Sequence, residues 1–154
     1  MASEKRISEL LGRHLGVDFG TRKRSLDVWG QADRCIEIRE NAWVLLEIEG
    51  KQHHPNTNVL KLWPFLKERK HLTVLLIHAF EKAGKNRVST RGRLAEWLAN
   101  EMTKLLRSRF NHRVVIDIAS GAVEGAEGVA PLIKMLGKSR TSRSARSRVK
   151  RAPG

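Results

Sequence analysis

Acidic and basic side chains crowd the end of one apolar segment, AWVLLEIEGK, at residues 42–51. Side chains of a β-strand alternate between its two faces, so Glu47, Glu49 and Lys51 fall on one face. Neighbouring carboxylates repel each other unless a cation is close by. Their oxygens are hard ligands of the kind that Mg²⁺ and Mn²⁺ prefer. The spacing therefore indicates a divalent metal site, and the alternative is a strand that ends in solvent with a surface ion pair worth at most ~1 kcal/mol.

A third carboxylate opens the preceding apolar segment, DRCIEIR, as Asp33. If this segment pairs antiparallel with the strand that follows, the start of one lies beside the end of the other. Asp33 is then expected to meet Glu47 and Glu49. A bound ion there would activate water and stabilise charge on a phosphoryl group, and Lys51 would orient the nucleophile or stabilise the developing charge. Asp27, in SLDVWG, is a competing choice for this first acid and metal ligand.

An acid that opens the second strand and an acid-x-lysine that ends the third resemble the PD-(D/E)xK nuclease superfamily. The match consists of Ala32 and Asp33, followed by EIEGK at residues 47–51, and the resemblance covers about residues 4–80. Alanine stands where the motif has proline, and Gly50 is a poor strand residue that could mark a bulge. The resemblance implies an α/β fold with a mixed central sheet, helices on both faces, the core order α-β-β-β-α-β and a restriction endonuclease-like architecture.

The resemblance also implies roles for individual residues. Asp33 would be the metal-binding acid of the second strand, and Glu49 and Lys51 would form the acid-x-lysine pair. Glu47 is an alternative first acid, because Glu47-x-Glu49 is similar to the acid-x-acid variant of some members. Glu9, on the first helix, would be an accessory acid. The implied activity is that of an endonuclease, a hydrolase that cleaves phosphodiester bonds in DNA with Mg²⁺ or Mn²⁺.

Hydrophobic periodicity predicts the elements that would position these residues. In chain order they are a helix with Ser3 as N-cap, a hairpin of SLDVWG and DRCIEIR, the strand AWVLLEIEG, a helix from about Thr57 that Pro64 interrupts, the central strand HLTVLLIHAF, an amphipathic helix at 89–110, the strand HRVVIDI and a short closing helix VAPLIKMLG. The apolar stripe of the long helix is predicted to consist of Leu94, Trp97, Leu98, Met102, Leu105 and Leu106.

Composition indicates one globular domain and a polyanionic partner. The chain has 154 residues, 40% of them hydrophobic, and a net charge of +14. Residues 1–137 are predicted to form a single α/β nuclease-like domain. Residues 138–154 contain no acid and little to bury, which predicts a disordered basic tail. The candidate nucleic-acid contacts lie in two basic segments and are Arg22, Lys23, Arg24, Lys85, Arg87, Arg91 and Arg93.

The expected location is intracellular, in the cytoplasm or at the nucleoid. No stretch approaches ~20 apolar residues, the N-terminus lacks the apolar core of a signal peptide, and Cys35 is the single cysteine. A cut through both strands would need two sites, which a homodimer would supply, whereas a nick needs one. Two alternatives are a non-catalytic, basic nucleic-acid-binding module and a subunit of a larger nucleic-acid-processing complex.

Other signals are weaker. LGVDFGT, at residues 15–21, is similar to the phosphate-binding turn of actin-like ATPases, but no second phosphate motif follows it, which favours ordinary turns. His53 and His54 follow the charged strand and are interpreted as a linker beside the site, where one could carry a proton. His78 lies within an apolar strand and is predicted to be a core histidine.

Overall fold

The computed structural model describes residues 3–50, 54–82 and 89–138. Its helices are α1 Glu4–Leu15, α2 Pro55–Leu60, α3 Leu62–Glu68, α4 Thr90–Leu106 and α5 Ala130–Gly137. Its strands are β1 Arg24–Ser25, β2 Gln31–Ala32, β3 Arg34–Arg39, β4 Ala42–Glu49, β5 Thr73–Phe80 and β6 Phe110–Val115. The prediction of a mixed α/β protein with a mixed sheet is confirmed.

The main sheet has four strands in the order β3-β4-β5-β6. β3 and β4 are antiparallel, with Arg34 opposite Leu46, so the start of β3 lies beside the end of β4. β5 runs parallel to both β4 and β6, which requires the helical crossovers that α2, α3 and α4 supply. β4 and β5 are therefore the central strands, and every residue of β4 is buried.

Helices cover both faces of the sheet and divide the core in two. Val44, Leu46 and Ile48 pack into one core with residues of α1 and α5. Trp43 and Leu45 point to the other face, where they join residues of α2, α3 and α4. The alternation of β4 is thus as the sequence indicates, and the buried carboxylates Glu47 and Glu49 continue the face that Trp43 and Leu45 begin.

Two short helices replace the single interrupted helix predicted after the charged strand. They meet at Lys61, and Pro64 lies in the first turn of α3. A proline costs little there, because the first N–H groups of a helix have no partner within it. Ser3 caps α1 as predicted, with its side chain accepting a hydrogen bond from the Arg6 amide.

The segment SLDVWG is not a strand, contrary to the prediction. The two residues of β1 pair with the two residues of β2, and Asp27–Trp29 form a 3₁₀ turn between these short strands. Asp27 has φ 58° and Gly30 has φ 103°, so the chain reverses too tightly for the strand to continue. Leu26 is fully buried beneath the turn and holds it to the core.

Half of the apolar stripe predicted for α4 faces the core, since Met102 is buried there and Leu98 and Leu106 pack against it. Leu94, Trp97 and Leu105 are 48%, 61% and 64% exposed. Their helix instead buries the small residues Ala95 and Ala99, together with Met102. α4 packs against α2 and β6, and small side chains allow the close approach. The last predicted strand, HRVVIDI, is also displaced, because β6 begins at Phe110 and ends at Val115.

Candidate acidic site at the end of the sheet

A cleft of about 500 Å³ opens where β4 ends, next to the start of α1. Its ionisable lining residues are Glu4, Lys23, Asp33, Glu47, Glu49, His54 and Lys61. The antiparallel register of β3 and β4 explains why the acids meet, since Asp33 precedes β3 while Glu47 and Glu49 end β4. The three carboxylates that the sequence predicted to converge therefore border one cleft.

Asp33 is tied to the end of β4 by its side chain. Its Oδ2 accepts a hydrogen bond of 2.8 Å from the Ile48 amide, and its Oδ1 lies 3.4 Å from Lys23 Nζ. The first contact continues the pairing of the two strands by one residue and fixes the carboxylate at the cleft. The second shows that a basic side chain already approaches this carboxylate from the solvent side.

Glu47 is almost fully buried and faces Lys61. Its Oε1 lies 2.6 Å from Lys61 Nζ, and its side chain is only 3% exposed. Burial raises the pKa of Glu47 to about 8, although the Lys61 ammonium opposes the shift, and repulsion from Asp33 and Glu49 adds to it. The three carboxylates are therefore close enough to interact electrostatically.

Glu49 is held by residues from two other elements. Its Oε1 lies 2.6 Å from His78 Nε2 on β5 and accepts a hydrogen bond of 2.7 Å from Asn58 Nδ2 on α2. The side chains of Glu49 and His78 are both about 1% exposed. His78 is therefore buried as predicted, but it contacts the candidate site rather than apolar neighbours alone.

The inner side of the site contains a second histidine, His112. Its ring lies edge-on to that of His78, with 5.7 Å between the centroids. Burial lowers the pKa of His112 to about 3, and the positive charges of His78, when protonated, and of Arg113 act in the same direction. His112 is accordingly neutral at physiological pH.

Two of the predicted acids are not among the residues that line the cleft. Glu9 is exposed on α1, forms an ion pair of 3.8 Å with Lys5 and borders a separate, shallow groove. Asp27 lies at the tip of the short hairpin, where its Oδ2 accepts a hydrogen bond of 2.7 Å from Arg69. Of the two choices for the first acid, the structure brings Asp33 to the cleft and not Asp27.

The predicted nucleic-acid contacts have different surroundings. Lys23 lines the cleft, and Arg91 Nη1 lies 3.2 Å from the ring of His54, which also lines it. Arg24 is engaged within the fold, since it lies 2.6 Å from Glu37 and 4.0 Å above the Trp43 ring. Arg22 and Arg93 are exposed. Outside the described residues lie Lys51, His53, Lys85, Arg87 and the tail from 139.

The sequence analysis missed three site residues, Asn58, Lys61 and His112, and the contact that His78 makes with Glu49. Lys61 Nζ donates to Gln31 O at 2.6 Å and to Asn58 Oδ1 at 3.1 Å, besides its contact with Glu47. One signal was available, because Asn58 and Lys61 are polar residues spaced i, i+3, which places them on the same side of a helix.

The donor chemistry of the cleft fits Mg²⁺ or Mn²⁺. Among residues 3–50, 54–82 and 89–138, no three His, Cys, Asp or Glu side chains are grouped so as to hold a metal ion. Mg²⁺, however, is commonly bound by one or two carboxylates, with water and substrate phosphate oxygens as its other ligands. Asp33, Glu47 and Glu49 offer such carboxylates, and a cation would oppose the burial and the smaller repulsion from Asp33 and Glu49 that raise the pKa of Glu47.

Comparison of the chain with protein-family models, curated proteins and solved structures finds no match. In the described part of the chain, no helix is both long and apolar enough to cross a bilayer. Function must therefore be inferred from the chemistry and geometry of the site, because a layered α/β architecture hosts many unrelated activities.

Proposed function

We propose that this protein is a metal-dependent endonuclease that hydrolyses phosphodiester bonds in DNA, and that its α-β-β-β-α-β core is restriction endonuclease-like. One observation carries the proposal: Asp33, Glu47, Glu49 and Lys61 border the same cleft at the end of β4. Three acids and an amine in one cleft are the groups that hydrolysis of a phosphate ester requires. The net charge of +14 supports a polyanionic substrate.

The residues of the cleft would have different roles in this reaction. Asp33 and Glu49, with Glu47 beside them, would hold Mg²⁺ or Mn²⁺. Such an ion, when bound, lowers the pKa of water and stabilises charge on the phosphoryl group. Lys61 would stabilise the negative charge that develops on the attacked phosphate. A water molecule gives up a proton as its oxygen bonds to phosphorus. The bond from phosphorus to one ester oxygen breaks, and that leaving oxygen takes up a proton.

Two lysines compete for the role of the amine. Lys51 fills the acid-x-lysine spacing of the superfamily that the sequence resembles. Lys61 is the amine that the described part of the cleft contains at 2.6 Å from Glu47. Lys61→Met and Lys51→Met, assayed side by side for nicking, would separate them. We expect Lys61→Met to lose at least tenfold in rate, since it removes a charge from the cleft itself.

The test of the proposal compares two aspartates on supercoiled plasmid. Purified protein is incubated with Mn²⁺, Mg²⁺ or a chelator, alongside Asp33→Asn and Asp27→Asn. We expect metal-dependent nicking that Asp33→Asn abolishes and Asp27→Asn retains, because Asp33 alone of the two borders the cleft. Equal activity in both variants would contradict the proposed site. Cutting that continues in the chelator would contradict the metal dependence.

A second candidate function is a nucleic-acid-binding module without catalysis, acting alone or within a larger complex. The observation that favours it is that each carboxylate already contacts a nitrogen donor: Asp33 the Ile48 amide, Glu47 Lys61, and Glu49 His78. Such a protein would shift plasmid on a gel without cutting it. Asp33→Asn would then bind DNA as the wild type does and would differ from it in no other assay.

The form of the product reports on the number of sites. A single cleft cuts one strand, whereas a cut through both strands requires two clefts and hence a second copy of the chain. Light scattering of the protein bound to DNA, together with the ratio of nicked to linear plasmid, distinguishes the two arrangements. We propose a homodimer for the form that produces linear plasmid.

A further inference from the structure

Asn58, in the middle of α2, contacts two groups to which the proposed function assigns chemistry. Its Nδ2 donates to Glu49 Oε1 at 2.7 Å, and its Oδ1 accepts from Lys61 Nζ at 3.1 Å. A side-chain amide can donate and accept at once, which neither a carboxylate nor an ammonium can do. One neutral side chain thereby lies between an acid and an amine of opposite charge.

The surrounding fold holds this amide in place. Asn58 is half-buried, and its neighbour Val59 is fully buried in the core beneath α2. α2 is only six residues long, so its position depends on packing against α4 rather than on its own helical stability. A partly buried amide is stable when its polar atoms are paired, and here the pairs are two functional groups.

The contacts extend on both sides of the amide. Glu49 Oε1 is shared with His78 Nε2 on β5. Lys61 Nζ continues to Glu47 Oε1 and to the carbonyl of Gln31. A continuous series of hydrogen bonds thus joins β5, β4, α2 and the α2–α3 junction, and Asn58 is the member at which the acid side meets the amine side.

We infer that Asn58 is a positioning residue, which keeps the Lys61 amine and the Glu49 carboxylate apart while fixing both; this inference rests on the proposed function. A lysine side chain has four flexible methylene groups and a compact charge. Without the amide, Lys61 can pair directly with Glu49, which takes the carboxylate from a metal ion and the amine from the phosphate. Such orienting partners typically change metal affinity or activity by about 10–100-fold when removed.

The experiment replaces the amide and measures metal binding and turnover separately. Asn58→Leu keeps the number and branching of the side-chain heavy atoms but removes their hydrogen bonds, and Thr57→Val is the matched control at the exposed neighbouring position. We expect Asn58→Leu to weaken Mn²⁺ binding to the DNA-free protein by about tenfold and to lower kcat at saturating Mn²⁺ by about 10–100-fold. KM for DNA should stay within about twofold, because the variant leaves the candidate backbone contacts Lys23 and Arg91 unchanged.

A double variant separates positioning from general stability. Asn58→Leu combined with Lys61→Met should cost less kcat than the product of the two single losses, because without the Lys61 amine the competing Lys61–Glu49 pair cannot form. Losses that multiply would overturn the inference, as would an Asn58→Leu protein that behaves like Thr57→Val. If circular dichroism shows that Asn58→Leu is unfolded, Asn58→Ala is judged by the same criteria.

The outcome for the wild type distinguishes the two proposals. A wild-type protein that neither binds Mn²⁺ nor nicks DNA overturns the proposed function, and the role of Asn58 falls with it. A wild-type protein that does both, next to an Asn58→Leu protein with unchanged Mn²⁺ affinity and kcat, overturns the positioning role alone.

Discussion

At the scale of single residues, the site is costly to fold. Glu47 and Glu49 are buried at the end of a central strand whose other residues are apolar, and burial disfavours the ionised form of a carboxylate. The fold offsets part of this cost with specific partners, namely Lys61 for Glu47 and His78 with Asn58 for Glu49. An ion pair that only ended a strand would lie in solvent and need no such partners, which favours a functional reason for the burial.

The buried His112 leads to a prediction about how the stability of the protein depends on pH. Its pKa in the folded protein is about 3, against 6.5 for an ordinary histidine, so the unfolded chain binds an extra proton between these values. Stability is therefore lost as the pH falls below about 6.5. We expect His112 to lower the free energy of unfolding by about 2 kcal/mol between pH 7 and pH 5. Urea titrations should show that His112→Asn loses less free energy of unfolding than the wild type between pH 7 and pH 5.

The control for this prediction is His71→Asn, because His71 is exposed. Its stability should fall with pH in parallel with that of the wild type. If His112→Asn and His71→Asn follow the same pH curve, His112 is protonated in the folded protein and the burial argument is wrong.

At the scale of elements, local patterns could be predicted and contacts between distant segments could not. The two faces of β4 follow from a period of two, and the meeting of Asp33 with Glu47 follows from antiparallel pairing of adjacent segments. Lys61 reaches the site only because the helix is interrupted between α2 and α3. His78 reaches it only because β5 lies parallel to β4. Neither arrangement is encoded in a short window of sequence.

The exposed face of α4 gives a prediction at this scale. Trp97 was predicted to be in the core on the basis of its spacing, yet it is 61% exposed, while Met102 is fully buried. We expect Trp97→Gln to change the free energy of unfolding by less than about 0.5 kcal/mol. Met102→Ala should lower it by about 2–5 kcal/mol, because it leaves a cavity. Chemical denaturation of both variants measures the difference, and the reverse order would show that Trp97 rather than Met102 is buried in the core.

At the scale of the whole molecule, the net positive charge is the feature that favours a polyanionic partner. An excess of 14 positive charges on 154 residues attracts any polyanion and confers no sequence specificity by itself. What distinguishes the cleft from the rest of the basic surface is that Lys23 borders it, and Arg91 lies beside it through its contact with His54. Under the proposed function, these two residues would contact the DNA backbone near the cleft.

The dependence of DNA binding on salt tests this placement. Each phosphate contact that is lost should reduce the slope of log affinity against log salt by about 0.9. We expect the double variant Lys23→Ala/Arg91→Ala to reduce the slope by about 2 in metal-free binding assays. The control is Arg13→Ala, which removes an exposed charge that borders the separate groove on α1. Equal slopes for the double variant and the wild type would place the DNA elsewhere.

The most direct test of the central claim compares two glutamates in one nicking assay with Mn²⁺. Glu49 is buried at the cleft, whereas Glu9 is exposed on α1 and outside it. The account predicts that Glu49→Gln lowers the nicking rate by at least about 100-fold while Glu9→Gln remains within about twofold of the wild type, with both variants folded. Nicking by Glu49→Gln at the wild-type rate would contradict the claim that this cleft hydrolyses phosphodiester bonds.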